Sequence, residues 1–127
     1  MEIKIGGKVF LVIIVLIVIG IVGFSASGYF TKNDDNLSDL DKFAKCISEK
    51  GATMYGAEWC GHCQNQKKMF GDSFKYVNYV ECPDPNNQAL CEQKGITGYP
   101  TWIINGLPYA GEQSFEKLSE LTGCPLS

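Results

Sequence analysis

A run of sixteen residues, Val9 to Phe24, contains only aliphatic side chains, Gly and Phe. No charge occurs between Lys8 and Lys32, so Val9 to Thr31 is 23 uncharged residues. A helix of that length spans roughly 30–35 Å, about one bilayer core. Such a run has no polar face, which disfavours a buried soluble helix. Tyr29 and Phe30 fall where an aromatic belt would sit at the far interface, and Lys4 and Lys8 favour an N-in orientation. The expectation is a single-pass cell-membrane anchor over residues 9–31, with residues 1–8 cytoplasmic and everything after residue 32 extracytoplasmic, either periplasmic or extracellular. A cleaved signal peptide competes with it, because Ser25-Ala26-Ser27-Gly28 offers small residues suited to cleavage, but the apolar run is longer than a usual signal core. Both readings deliver the remaining chain to the same side of the membrane. Residues 32–36 are a polar tether, and residues 37–127 are one domain.

That domain has roughly 95 residues or fewer, enough for one small core that gains from covalent help. The chain of 127 residues carries a formal net charge of −3, and all eleven basic residues are Lys. An Arg-free, acidic chain argues against nucleic-acid binding and against a bidentate phosphate or carboxylate site. The single His rules out His-rich metal centres. Six Cys is high for an intracellular protein and suggests an oxidising compartment.

Leu37, Leu40, Phe43, Ala44 and Ile47 recur at helical spacing, predicting an amphipathic helix over about 37–50 that ends at Gly51. Thr53 to Ala57 reads as a strand, Cys60 to Phe70 as a helix, Tyr76 to Val80 as a strand, and Asn87 to Lys94 as a helix. Thr101 to Ile104 and Leu107 to Ala110 are strands joined at Asn105-Gly106, a strong hairpin signal. Ser114 to Thr122 is a last helix. Two strands joined through a helix should be parallel with a right-handed crossover, while the hairpin is antiparallel. The expected architecture is therefore α/β, a mixed four-stranded sheet with helices on both faces.

Trp59-Cys60-Gly61-His62-Cys63 lies where a strand ends and a helix begins. First-turn N–H groups and the helix dipole stabilise an anion there, so Cys60 should ionise readily. Lowering a thiol pKa from ~8.5 to ~6.5 raises the thiolate fraction at pH 7 from about 3% to about 75%, and the thiolate is the attacking species. His62 can add positive charge or a hydrogen bond to the sulfur. Cys63, further into the helix, is better shielded and suited to resolving a mixed disulfide. A permanent disulfide or half a zinc site would use the same spacing. Gly98-Tyr99-Pro100-Thr101-Trp102 follows just before a predicted strand.

Together, Ala57-Glu58-Trp59-Cys60-Gly61-His62-Cys63 and Tyr99-Pro100-Thr101 resemble the active-site strand–helix and the cis-proline loop of the thioredoxin superfamily, over roughly residues 40–123. The resemblance implies a thioredoxin-like fold with Pro100 cis beside the Cys pair and the Tyr99 backbone pairing with a substrate strand. Trp59 would help form the apolar docking surface. The Cys60-to-Cys63 tetrapeptide is similar to that of protein disulfide isomerases. One departure stands out: thioredoxins carry a buried Asp six residues before the first active-site Cys, and here that position is Met54. A buried base for Cys63 is missing unless Glu58 or water substitutes.

With Cys60 and Cys63 as the redox pair, three connectivities remain for the other four cysteines. Short local closure favours Cys82–Cys91, and elimination then leaves Cys46–Cys124, as structural disulfides. Free thiols, a second redox pair at Cys82 and Cys91, and a zinc ribbon of Cys60, Cys63, Cys82 and Cys91 are the alternatives. The x8 spacing of the last pair fits a ribbon poorly, so no metal is expected.

Met54-Tyr55-Gly56-Ala57, Gln66-Lys67-Lys68-Met69-Phe70-Gly71, Tyr79-Val80-Glu81-Cys82 and Gly98 to Trp102 also resemble the thioredoxin-like domain often fused to bacterial and plant vitamin K epoxide reductase homologues. In those fusions the membrane enzyme oxidises the domain and passes electrons to a quinone. The resemblance implies a detached redox partner that forms or isomerises disulfides in exported cysteine-containing proteins and is reoxidised by such a membrane enzyme. No organic cofactor is then needed beyond the redox-active disulfide, and quinone enters only through the partner. A disulfide reductase and a non-catalytic binding or chaperone module are the rival functions.

Overall fold

The computed structural model describes residues 6–24 and 36–127, and the chain divides into two units, residues 1–33 and 34–127. In the first unit, helix α1 covers Gly7–Phe24. Its 18 residues rise about 27 Å. Among the described residues no helix is long and apolar enough to cross a membrane. The far part of the expected 9–31 span, including the Ser25–Gly28 stretch and Tyr29–Phe30, lies outside the described residues, as do residues 32–35 of the tether.

The second unit opens on α2, Asp39–Glu49. Ser38 caps it: its Oγ accepts from the Asp41 N–H, and the Asp41 carboxylate accepts from the Ser38 N–H, each at 3.1 Å. The helix thus begins two residues later than hydrophobic spacing alone predicts, because the reciprocal cap sets its start. Asp41 also accepts from the Ser73 hydroxyl at 2.7 Å, a bond that holds its carboxyl below the ordinary range. Strand β1 is Thr53–Gly56, α3 is Gly61–Phe70, and a 3-10 turn spans Gly71–Tyr76. Strand β2 is Asn78–Glu81, α4 is Gln88–Gln93, β3 is Thr101–Ile104, β4 is Leu107–Ala110 and α5 is Phe115–Thr122.

One boundary departs from expectation for a tertiary reason. The strand expected over Tyr76 to Val80 starts only at Asn78. The Tyr76 carbonyl accepts from Ser48 Oγ at 2.7 Å, and Ser48 Oγ itself accepts from the Asn78 N–H at 3.0 Å, so α2 holds residues 76 and 77 off the ladder. The 3-10 turn before it has no periodic signature in the sequence.

The sheet order is β2-β1-β3-β4, with β1 and β2 parallel and the other two pairs antiparallel. Asn105 and Gly106 both have positive φ, at 52° and 77°, as a two-residue primed turn requires. Alternation along the strands divides the core. Met54, Trp102 and Ile104 face a cluster with Phe43, Ala44 and Ile47 of α2, Cys63 and Phe70 of α3, and Leu118 of α5. Tyr55, Val80 and Ile103 face the other way, towards Cys82 and Cys91 at α4. The sheet is therefore covered on both faces, by three helices on one and by α4 on the other. Phe70 anchors the larger cluster, with its ring centroid 4.9 Å from Phe115 and 6.3 Å from the fully buried Trp102.

The remaining four cysteines pair as Cys46–Cys124 and Cys82–Cys91, with Cα separations of 5.9 and 5.8 Å. The first ties α2 to the residue just past α5. The second closes the β2–α4 connection and removes two of the four thiolates that a zinc ribbon would need.

Candidate active site

Chain geometry sets the site at the carboxyl end of β1, where the first turn of α3 begins. Cys60 is the N-cap of α3, with extended backbone at φ −80° and ψ 122°. Its thiol is lowered from the ordinary value. The main cause is the Cys63 backbone N–H, joined by the Cys63 thiol and the His62 backbone N–H; partial burial and the Glu112 charge oppose them. An N-cap sulfur beside first-turn N–H groups is the arrangement that stabilises a thiolate. Cys63, one turn in, is fully buried. Burial pushes its thiol up to about 11. The two sulfurs are unbonded. One thiol is thus the readier to ionise and the other the harder.

The Tyr99–Pro100 peptide is cis. The Tyr99 carbonyl accepts from Cys60 Sγ at 3.6 Å, and Pro100 is buried beneath it. Trp59 is 71% exposed and packs edge-on against Tyr99 at 5.9 Å. The expected site residues Cys60, Cys63, Trp59, Tyr99 and Pro100 therefore converge. His62 is positioned differently from expectation: its imidazole lies on the surface with Nδ1 3.5 Å from Glu112 Oε2. What His62 contributes at the sulfur is its backbone N–H.

No local sequence pattern gives a role to Glu112, Gln66 or the polar face of β2. Gln66 is buried, accepts from Trp102 Nε1 at 3.1 Å and from the Gln113 N–H at 2.7 Å, and donates to the Gln113 carbonyl at 3.0 Å. These bonds pin the loop that carries Glu112 beside His62. A polar residue on the buried Cys63–Gln66–Phe70 stripe of α3 is the one local signal that could have flagged it. Met54 is fully buried and brings no base to Cys63. Glu58 is exposed, and its N–H donates to Glu81 Oε1 at 2.7 Å.

Gly56 sits against Cys63 and Tyr79. A Cβ there would stand 2.8 Å from Cys63 Sγ and 3.1 Å from the Tyr79 ring, closer than the backbone can relieve without a shift. Gly56→Ala is expected to destabilise the domain by about 1–3 kcal/mol, the range for overpacking a filled core. Urea unfolding followed by tryptophan fluorescence checks it; an unchanged midpoint would show that Cys63 moves freely.

A thiol inclined to ionise, a buried partner thiol and an open, aromatic-rimmed edge next to the Tyr99 carbonyl suit two-step thiol–disulfide exchange.

No family model matches the chain. In sequence it is 46% identical over 90 residues to a thiol-disulfide oxidoreductase of Arabidopsis thaliana, covering 65% of this chain and 24% of that protein. It is 30% identical over 97 residues to a thioredoxin domain-containing protein 5 homolog of Drosophila melanogaster, covering 65% of this chain and 23% of that one. It is 28% identical over 100 residues to a protein disulfide-isomerase of Aspergillus niger, covering 69% of this chain and 19% of that one. The chain thus spans about a quarter or less of the length of these relatives. Among solved structures, oxidized glutaredoxin 2 from Chlamydomonas reinhardtii aligns with TM-score 0.42 and 19% identity over 68% of this chain and 95% of that chain. The Cys60-Gly61-His62-Cys63 helix cap and the cis-Pro100 loop thus stand in a chain whose sequence is similar to thiol-disulfide oxidoreductases and protein disulfide-isomerases.

Proposed function

We propose that the protein is a membrane-tethered, extracytoplasmic thiol–disulfide oxidoreductase. It forms or isomerises disulfides in exported proteins and is reoxidised by a vitamin K epoxide reductase-type membrane enzyme. The observation that carries the exchange chemistry is the unequal pair of thiols at the α3 cap: Cys60 lowered and reachable, Cys63 buried and raised. In this reading Cys60 is the attacked or attacking sulfur, Cys63 resolves, and His62 with Glu112 tunes the pair. Trp59, Tyr99 and Pro100 receive an extended client segment. The relatives' names, a thiol-disulfide oxidoreductase and protein disulfide-isomerases, support the same chemistry. Tethering rests on the 23 uncharged residues from Val9 to Thr31. Two disulfides elsewhere in the domain support an oxidising compartment. The reoxidation partner rests on the motif resemblance around Tyr79 to Cys82 and Gly98 to Trp102.

Trapping tests it. A Cys63→Ala variant expressed in cells is expected to accumulate mixed disulfides through Cys60, both with exported clients and with one quinone-linked membrane oxidase. Capture of clients without any membrane oxidase would remove the partnership, and capture of neither would remove the function. The Cys60–Cys63 potential separates direction: a value near about −180 mV fits oxidation or isomerisation, whereas one near about −270 mV fits a reductase.

A further inference from the structure

Cys63 must lose a proton each time it attacks a mixed disulfide on Cys60, and regain one each time it leaves. With the thiol at about 11, only roughly one part in ten thousand is ionised at pH 7. Met54 gives no help, so the groups facing Cys63 from each packed element decide how the proton travels. From α3 come Cys60, whose charge raises the Cys63 thiol, and Lys67, whose charge lowers it. From β2 come Tyr79 and Glu81. From the β1–α3 connection comes Glu58, whose charge is felt at Tyr79.

The geometry of this group is specific. One point, the empty Cβ position of Gly56, lies 2.8 Å from Cys63 Sγ and 3.3 Å from the Tyr79 hydroxyl. Thiol and phenol therefore stand no further apart than those two distances combined, with no side chain on Gly56 to separate them. The Tyr79 hydroxyl donates to Glu81 Oε2. Burial, then Glu81, keeps that phenol protonated at any ordinary pH. The Lys67 ammonium stands 3.9 Å above the Tyr79 ring centroid and fixes the ring over the site. Glu81 is half-buried, and its other oxygen is held by the Glu58 N–H, so the carboxylate is oriented at both ends.

We propose that Tyr79 and Glu81 form the proton relay of Cys63, with the phenol passing the proton and Glu81 as its terminal acceptor and donor. The proposal rests on the disulfide-exchange reading above and identifies how its second step proceeds. In resolution, the Cys63 proton moves to the Tyr79 oxygen as the phenol proton moves to Glu81. The Cys63 thiolate attacks Cys60 Sγ, the Cys60–Cys63 bond forms, and the Cys60–client bond breaks. The client sulfur leaves as a thiolate and takes a proton from water; the two enzyme thiols are oxidised and the client disulfide is reduced. In the oxidising direction a client thiolate attacks Cys60, Cys63 leaves, and Glu81 returns the proton through Tyr79.

The test uses the full chain in detergent, reduced and then mixed with glutathione disulfide. Acid quenching and mass spectrometry count the Cys60–glutathione adduct over time. Tyr79→Phe removes one oxygen, and Glu81→Gln keeps an acceptor for the Glu58 N–H. Both are expected to form the adduct at the wild-type rate and resolve it about tenfold to a hundredfold more slowly at pH 7. The deficit should shrink as pH rises towards the Cys63 value, where the thiol ionises unaided. Resolution at the wild-type rate in both variants overturns the relay. A slowing of equal size at every pH overturns it too, because a structural defect does not follow thiol ionisation. If the wild-type chain forms neither the adduct nor the Cys60–Cys63 disulfide, the disulfide-exchange reading falls and the relay with it, an outcome distinct from the other two.

Discussion

Cys60→Ser is expected to abolish disulfide exchange, lowering turnover of a scrambled disulfide substrate at least about a thousandfold, because the covalent step has no other nucleophile at the α3 cap. Cys63→Ala should fail differently. It retains the first attack and stalls at the mixed disulfide, so single-turnover release of one thiol survives while the second is lost. The pH dependence of that retained step follows from the direction of the Cys60 shift. Its thiol lies below the ordinary value because the Cys63 backbone N–H bonds the charged form. The thiolate then persists as pH falls through ~8.5, where an unperturbed thiol would already be protonating. Iodoacetamide alkylation of Cys63→Ala, which keeps that backbone N–H, should have its midpoint below that of a free cysteine peptide. An unshifted midpoint would mean that the helix cap does not activate the sulfur. Client binding that survives in Cys60→Ser with full function would instead show a non-catalytic binding module.

The second large effect concerns stability. Cys46–Cys124 joins residues 78 apart, and on the chain-entropy model removing so long a cross-link costs about 4 kcal/mol. For a domain of this size that corresponds to a melting point lower by on the order of 15–30 °C. Replacing both cysteines with Ala is expected to produce this drop with the active-site pair untouched. Cys82–Cys91 closes a loop of only nine residues, so its removal should cost less, about 2–3 kcal/mol. Thermal unfolding of the two double variants side by side checks the order. The comparison isolates loop length, since Cys82, Cys91 and Cys124 are all buried and lose similar packing on replacement. Equal losses would indicate that local packing at each bridge, not closure of the long loop, carries the stabilisation.

The elements legible before any coordinates are those whose causes are local. Asn105-Gly106 announced its hairpin because both residues tolerate positive φ. The α3 start was legible because Cys-x-x-Cys followed a β-forming stretch. Ser38 with Asp41 three residues on is a capping pair that spacing of apolar residues alone overlooked, which is why α2 began later than expected. The site's second layer was not legible for a different reason. Glu112 reaches His62 from a loop 50 positions away, Gln66 clamps Gln113 across 47 positions, and Tyr79 and Cys63 both border the space left by Gly56. No local pattern marks such meetings, since each is created by strand register and helix packing. The strand over 76–80 shifted for the same cause, a single Ser48 hydroxyl on a distant helix.

From its sequence alone this protein has its apolar N-terminal run, its α/β element order, its cysteine chemistry and the cap where one thiol is activated. All of these follow from short-range rules: periodicity, turn residues and helix-end hydrogen bonding. Only the tertiary structure decides how completely the Cys63 thiol is buried, where the His62 ring points, and which carboxylate takes the Tyr79 hydroxyl. Those properties depend on desolvation and on charges brought together from remote segments, and neither exists until the sheet and its covering helices have packed.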